Sequence, residues 1–297
     1  MEITNDARQV LQFINQTQRS IFLTGKAGTG KTTLLRKIIQ TTHKNTVVVA
    51  PTGIAALNAG GVTIHSMFQL PFGGFIPEYI TGSSISQYQK FETKNTLVKH
   101  FKMSGQKKAV MLNMELLIID EVSMLRADLL DAIDFMLRKV RRKDIPFGGV
   151  QVLFIGDLLQ LPPVVKNDEW QVLRNYYRGI FFFNAKVILE KPPLYIELSK
   201  IFRQTDERFI SVLNNLRNNT ITQRDMVVLK NLTCLIGLLP NLSRSLINMI
   251  NKTSLFPLLL LLLAALQYSI GFVSINLRMK ITIIKRLKLF VMVLLVG

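Results

Sequence analysis

The nonapeptide GKAGTGKTT, Gly25 to Thr33, holds the first residues in the chain whose spacing can do chemistry. It satisfies G-x-x-x-x-G-K-[ST] and stands between a short apolar run and the helix-like LLRKIIQ. Glycines let the backbone wrap tightly and aim N–H groups at phosphate, and a following helix N-terminus adds a favourable field. Lys31 reaches the terminal phosphates, and Thr32 offers its hydroxyl to Mg²⁺. Gly25, Lys26, Ala27, Gly28, Thr29, Gly30, Lys31, Thr32 and Thr33 together are expected to form a nucleoside triphosphate site.

A second stretch, LLIIDEVSML, is an apolar run that delivers Asp120 and Glu121 side by side. In a phosphate-loop protein the first carboxylate orients Mg²⁺, and the second can take a proton from an attacking water. Two adjacent acids at this place point to hydrolysis. A third stretch, VQVLFIGDLLQLPPVV, ends an apolar run at Gly156-Asp157 and places Gln160 one turn later. A neutral amide within reach of the γ-phosphate can orient the attacking water and sense whether that phosphate is present. Pro162 and Pro163 stiffen the exit from the loop.

These residues need elements to hold them. Five short runs, SIFLT (20–24), TVVVA (46–50), LLIID (116–120), VQVLFIG (150–156) and LYIEL (194–198), alternate with amphipathic segments. Such a pattern predicts an α/β fold, a parallel sheet with helices on both faces, with ligands at the carboxyl ends of the strands. The motifs fall at those ends.

Order and wording go further than phosphate-loop logic alone. The stretches GKAGTGKTT, VVVAPTGIAALNAGGVTIHSMFQLP, LIIDEVSML, FGGVQVLFIGDLLQLPPV and LSKIFRQTDERFISVLNNLR follow one another over residues 1–230. In this the chain resembles the PIF/RecD-like group of superfamily-one DNA helicases. The resemblance implies a RecA-like motor domain, ATP and Mg²⁺ as cofactors, and 5′-to-3′ movement on single-stranded DNA with duplex unwinding. It implies Lys31 and Thr32 on phosphate and Mg²⁺, Asp120 on Mg²⁺, Glu121 as base and Gln160 as reader of the γ-phosphate. Arg203 in FRQ would add a cation at that phosphate, where guanidinium geometry suits the charge that develops in transfer. An adenine-reading glutamine is expected near the N-terminus, with Gln9 the nearest candidate and Gln12, Gln16 and Gln18 close by.

In similar helicases the segment APTGIAALNAGGVTIHSMF touches the DNA strand. Pro51, Thr52, Gly53, Thr63, His65 and Ser66 are the residues expected there, their small size and hydroxyls suiting contacts to phosphate without sequence readout. His65 also reads as a satisfied structural group, the commoner case for a lone His near a strand end, and Phe68 either stacks a base or fills the core. The basic runs KMSGQKK (102–108) and KVRRK (139–143) either extend an electrostatic track or are solvated helix faces. The expected partners are single strands and duplex junctions, with a monomer in the cytoplasm, no membrane partner, and a role in recombination, repair or telomere-type work.

Charge divides the chain. The formal net charge is +18, yet all 19 acids precede Asn231. Residues 231–297 carry seven basic residues and no acid, and are heavy in Leu, Ile and Asn. A boundary is therefore expected at about 230, between an ATPase domain at 1–230 and an aberrant basic, hydrophobic tail at 231–297. The resemblance calls for a second RecA-like domain with KSQG-like and ALSR-like motifs; neither stands in 231–297, and NLSRSL (241–246) comes too soon after Arg203 to be the latter. Translation out of frame fits the loss of acids best. A single-pass anchor is the rival, since FPLLLLLLAALQYSIGFV (256–273) carries no charge and would span about 27 Å as a helix. An unusual soluble domain is the third reading. The one cysteine, Cys234, excludes an intramolecular disulfide and a cysteine-built metal cage, and the polar MEITNDARQV is not a secretory signal. Beside the motor, a non-motor nucleotide-binding remnant, membrane-tethered or not, stays open.

Overall fold

A computed structural model describes residues 4–26, 28–70, 73–80, 91–99, 104–200, 202, 211–212, 214–215 and 218–227. The candidate anchor at 256–273, NLSRSL and Arg203 all lie outside the described residues, as does Ala27. A first compact unit runs Met1–Asp225. Among the described residues no helix is long and apolar enough to cross a membrane.

Chain order begins α1 (Asn5–Gln16), β1 (Ile21–Gly25), α2 (Lys31–Thr41), β2 (Thr46–Ala50), α3 (Gly53–Ala59), β3 (Val62–Thr63) and α4 (Ile64–Phe68). It continues β4 (Gly74–Ile76), β5 (Phe91–Thr93), α5 (Lys94–Lys99), α6 (Gly105–Asn113), β6 (Leu116–Ile119) and α7 (Ala127–Arg141). Last come β7 (Gln151–Ile155), α8 (Asn167–Leu173), α9 (Lys186–Glu190) and β8 (Leu194–Leu198). Six strands make one sheet in the order β3-β2-β6-β7-β1-β8, and every neighbouring pair is parallel.

The sheet is covered on both faces, and its side chains divide with the strand period of two. Ile21 and Leu23, Leu116 and Ile118, and Leu153 and Ile155 pack with Val10 and Ile14 of α1 and Leu34, Leu35 and Ile38 of α2. Their alternates, Phe22, Leu117, Ile119, Val152 and Phe154, pack with Ile133 and Leu137 of α7 and Val187 and Ile188 of α9. This is why the strands read as unbroken apolar runs. All five runs seen in the sequence are strands, displaced by no more than a residue at either end. Phe68 is fully buried and belongs to the core.

A separate parallel pair, β4 with β5, was not expected from the sequence. Helix α7 ties that pair and two other elements to the sheet through three buried aspartates, each accepting from the backbone of a different neighbour. Asp128 accepts from the Phe75 amide of β4 (2.9 Å). Asp131 accepts from the Lys186 and Val187 amides that begin α9 (both 3.0 Å). Asp134 accepts from the Phe147 amide in the turn before β7 (2.6 Å). A helix N-terminus leaves amides without intrahelical partners, and Asp131 supplies them from outside α9.

Candidate nucleotide and strand-contact site at the carboxyl edge of the sheet

The loop between β1 and α2 can wrap because its glycines take backbone angles closed to other residues. Gly28 and Gly30 have φ of 83° and 88°. Gly30 hands over directly to α2, whose first residue is Lys31. The Lys31 ammonium donates to the Gly25 carbonyl (2.6 Å) and the Lys26 carbonyl (3.1 Å), so the cation is folded over its own loop. Thr29 closes the loop by donating its hydroxyl to the Lys26 carbonyl (2.9 Å). Thr32 is half-buried at the start of α2, one residue beyond Lys31.

Asp120 and Glu121 leave β6 one strand beyond β7, which is itself next to β1. The Asp120 amide donates to the Val49 carbonyl of β2 (2.9 Å), holding the strand end, and its Oδ1 accepts from the Glu121 amide (3.0 Å). Glu121 sits at φ 51°, ψ 44°, a left-handed conformation that costs a non-glycine residue on the order of 1 kcal/mol. Strain of this kind persists where the surroundings over-determine it, and it turns the carboxyl into the cluster. Burial is the main cause that pushes the Glu121 carboxyl up to about 7; Asp120 and Asp157 add to it and Lys31 opposes. Asp120 is raised by burial against the pull of the Glu121 amide and Lys31. Lys31, Asp120, Glu121 and Asp157 therefore form one electrostatic cluster.

Asp157 is buried after β7 and accepts from the Leu159 amide (3.1 Å). The Gln160 amide donates to the Asp157 carbonyl (2.9 Å), closing the turn that holds Gln160 at the same edge, half-buried. Gly156 lets β7 approach the turn after Glu121: a Cβ there would lie 3.0 Å from the Val122 amide nitrogen and Cγ1. Gly156→Ala is expected to displace that turn by a few tenths of an ångström, at a cost of about 1 kcal/mol of stability. A urea titration measures the loss as a lower midpoint at unchanged slope.

Two raised carboxyls, Glu121 at about 7 and Asp131 at about 6, the latter again chiefly through burial, set a pH dependence. Both are raised above their unfolded values of 4.5 and 3.8, so the folded protein holds a proton that the unfolded chain has released. The stability these two carboxyls contribute is therefore lost above about pH 7 and grows as pH falls toward 5. In nucleotide-free protein with chelator, the unfolding free energy from a urea titration should be greater at pH 5 than at pH 7.5, by on the order of 1–3 kcal/mol.

Beside the phosphate loop lies a cavity of about 240 Å³, lined by Thr4, Ala7 and Leu11 of the α1 region, Thr33 and Lys37 of α2, and Phe202. The Phe202 amide donates to the Gly28 carbonyl (2.9 Å), fixing this residue against the loop. Gln9, Gln12, Gln16 and Gln18 are all exposed, and none lines the cavity. The glutamine expected at a base is thus not brought here. Thr4, Ala7 and Leu11 share the inner face of α1 at helical spacing, whereas Gln9 does not. Phe202 and Lys37 were missed in the sequence, where neither stands in a phosphate-loop or acidic motif.

The segment 51–66 occupies the ends of β2 and β3, next to Asp120. Thr52 accepts from the Ala55 amide (3.3 Å) and Thr63 from the Ser66 amide (3.2 Å), so both hydroxyls cap helices and keep their own O–H free to donate outward. Pro51 is half-buried, and Gly53 and Ser66 are exposed. Lys107, from the first basic run, donates to the Ser66 carbonyl (2.7 Å). Burial first, and the Arg126 guanidinium second, hold the His65 imidazole below its usual range, so it is neutral and offers a hydrogen bond rather than a charge.

A model of the PIF1-like helicase family matches residues 2–226. The ATP-dependent DNA helicase PIF1 of Saccharomyces cerevisiae is 38% identical over 208 residues, covering 68% of this chain and 21% of that protein. Human ATP-dependent DNA helicase PIF1 is 36% identical over 217 residues, covering 73% of this chain and 30% of its own length. The chain thus spans between about a fifth and a third of these relatives. Bacteroides Pif1, solved bound to single-stranded DNA, superimposes with a TM-score of 0.68 at 46% identity, over 78% of this chain and 50% of that one. A family match over three quarters of the chain, with the phosphate loop, paired acids and glutamine turn at one sheet edge, means that this chain belongs to the PIF1-like helicases.

Proposed function

We propose that this chain binds ATP with Mg²⁺ at Gly25–Thr33 and couples its hydrolysis to 5′-to-3′ movement on single-stranded DNA and unwinding at duplex junctions. The observation that carries this reading is the lateral order at the carboxyl edge. The strand-contact segment ends β3 and β2, the paired acids end β6, Asp157 ends β7, the phosphate loop ends β1, and Phe202 follows β8. Nucleotide and strand would therefore face each other across the ends of β6 and β7. Relatives support the ligands: Bacteroides Pif1 has been solved with ADP-AlF3 and single-stranded DNA, and another solved structure concerns unwinding at forked duplex DNA by two coordinating Pif1 helicases.

The donor set suits a Mg²⁺-nucleotide. Among the described residues no group of three or more His, Cys, Asp or Glu side chains can hold a metal alone, and Mg²⁺ characteristically takes one or two protein ligands with phosphate oxygens. Asp120 and Thr32 would hold the ion, which would offset charge on the γ-phosphate. Lys31 leaves its two carbonyls for phosphate. Glu121 accepts the proton of the attacking water, Gln160 orients that water, and Arg203 adds its cation at the γ-phosphate. The cavity walled by Ala7, Leu11 and Phe202 takes the base, with Phe202 as its aromatic surface. Thr52, Thr63 and Ser66 donate to strand phosphates, with Pro51, Gly53 and His65 allowing the close approach. None of these contacts reads a base edge.

Hydrolysis measured with and without oligo-dT tests the reading. Stimulation by the single strand, stronger than by blunt duplex, is the expected result. Nucleotide binding with no turnover under either condition would favour the non-motor remnant.

A further inference from the structure

A cleft of about 680 Å³ runs along the C-terminal half of α7, lined also from residues 75–79, α5 and α9, and it shares no residue with the nucleotide site. Its acids are already committed. Asp131 holds the start of α9, and Asp134 accepts from Phe147 and from Arg138 (2.8 Å). Arg138 also takes up Glu190 (2.7 Å) and Asp144 (3.4 Å). Helix ends gather cations to complement the backbone dipole, and two of them here are explained structurally. Arg138 balances those carboxylates, and Arg141 donates to the carbonyls of Met111, Leu112, Met114 and Gly148.

Lys94, Lys139, Arg142, Lys143 and Lys186 are left over. All five line the cleft, and among the described residues none makes an ion pair with a carboxylate. Two of them lie over aromatic rings that line the same cleft: Lys94 is 5.4 Å from the Tyr79 centroid, and Lys139 is 5.6 Å from that of Phe135. Phe135 is buried, but Tyr79 is 59% exposed. A row of uncompensated cations with an exposed aromatic ring is the pairing that holds unpaired nucleic acid, cations on the phosphodiesters and the ring on a base. A duplex keeps its base faces stacked inside, so the exposed ring favours an unpaired strand over a duplex.

We propose that this cleft is a second contact for single-stranded DNA, apart from the segment 51–66, in which Lys139, Arg142 and Lys143 hold phosphates and Tyr79 stacks an unpaired base. It extends the strand-binding reading without relying on the nucleotide site, so it is tested in the full chain with no nucleotide present. Fluorescence anisotropy with labelled oligo-dT should show the Lys139→Glu, Arg142→Glu, Lys143→Glu triple variant binding at least tenfold more weakly. The slope of log affinity against log salt should fall by about 2, since each lost single-strand phosphate contact removes about 0.7. All three positions are exposed, and the charge-keeping triple Lys139→Arg, Arg142→Lys, Lys143→Arg should bind as the parent does. In the unaltered chain, an oligonucleotide carrying 5-iodo-deoxyuridine should cross-link to Tyr79 on irradiation. Binding of a fluorescent ATP analogue should be the same in parent and variants. Unchanged affinity and salt slope in the glutamate triple, a loss confined to intact duplex, or cross-links that avoid the cleft would each overturn the proposal. Failure of the ATPase reading would leave these measurements unaffected.

Discussion

Glu121→Gln is expected to lower ATP turnover by on the order of 10³-fold while nucleotide affinity changes only severalfold. The amide keeps the size of the side chain but has no oxygen basic enough to take a proton from water. Burial, with Asp120 and Asp157 beside it, makes this carboxyl a stronger base than an exposed glutamate, and it is that property the amide lacks. Lys31→Ala should fail in the other manner. It removes the cation that donates to Gly25 and Lys26 within the loop, so affinity itself should fall, by roughly 10²-fold. Single-turnover hydrolysis beside equilibrium binding of a fluorescent analogue separates the two. Equal loss of affinity in both variants would mean that Glu121 holds the loop rather than the water.

Phe154→Ala should cost about 3–5 kcal/mol, roughly two to three and a half powers of ten in the folding equilibrium. Phe154 is fully buried on β7, with the Phe182 ring stacked at 5.3 Å and the Phe147 ring at 6.2 Å. Phe182 in turn meets Phe22 of β1 edge-on at 5.2 Å. The truncated side chain leaves a void that rigid rings cannot close, and it loosens the strand that carries Gly156 and Asp157. A urea titration should show a lower midpoint at unchanged slope. A loss below about 1 kcal/mol would mean that this face of the sheet is loosely packed.

Central strands were legible because burial on both faces demands apolar side chains at every position, a signal that survives without any contact information. Strands of two or three residues, β3, β4 and β5, carry too few positions to show a period. The phosphate loop and the acidic pair were legible because their chemistry is local in the chain. Phe202 and Gly156 act only through neighbours far away in sequence, Gly28 for one and Val122 for the other. Thr52 and Thr63 were read as strand contacts; in the structure each caps a helix, α3 and α4, which a threonine three residues before the amide it accepts from already signals. The aspartates of α7 stand in no motif that singles them out in the sequence. They are buried because three backbone segments need acceptors there. The family expected from the five stretches is the one whose model matches.

The strand that carries the phosphate loop lies between two strands that the ribosome delivers much later. Ile21 pairs with Leu153 on one side and with Leu194 on the other. While the chain is being made, β1 therefore waits with both hydrogen-bonding edges open until residue 155 has left the exit tunnel, and with one edge open until residue 198 has, on the order of ten seconds or more at ordinary elongation rates. A nascent chain shorter than that has the glycine-rich sequence but no rigid cradle to present to ATP, and its apolar edges are what a chaperone would meet first.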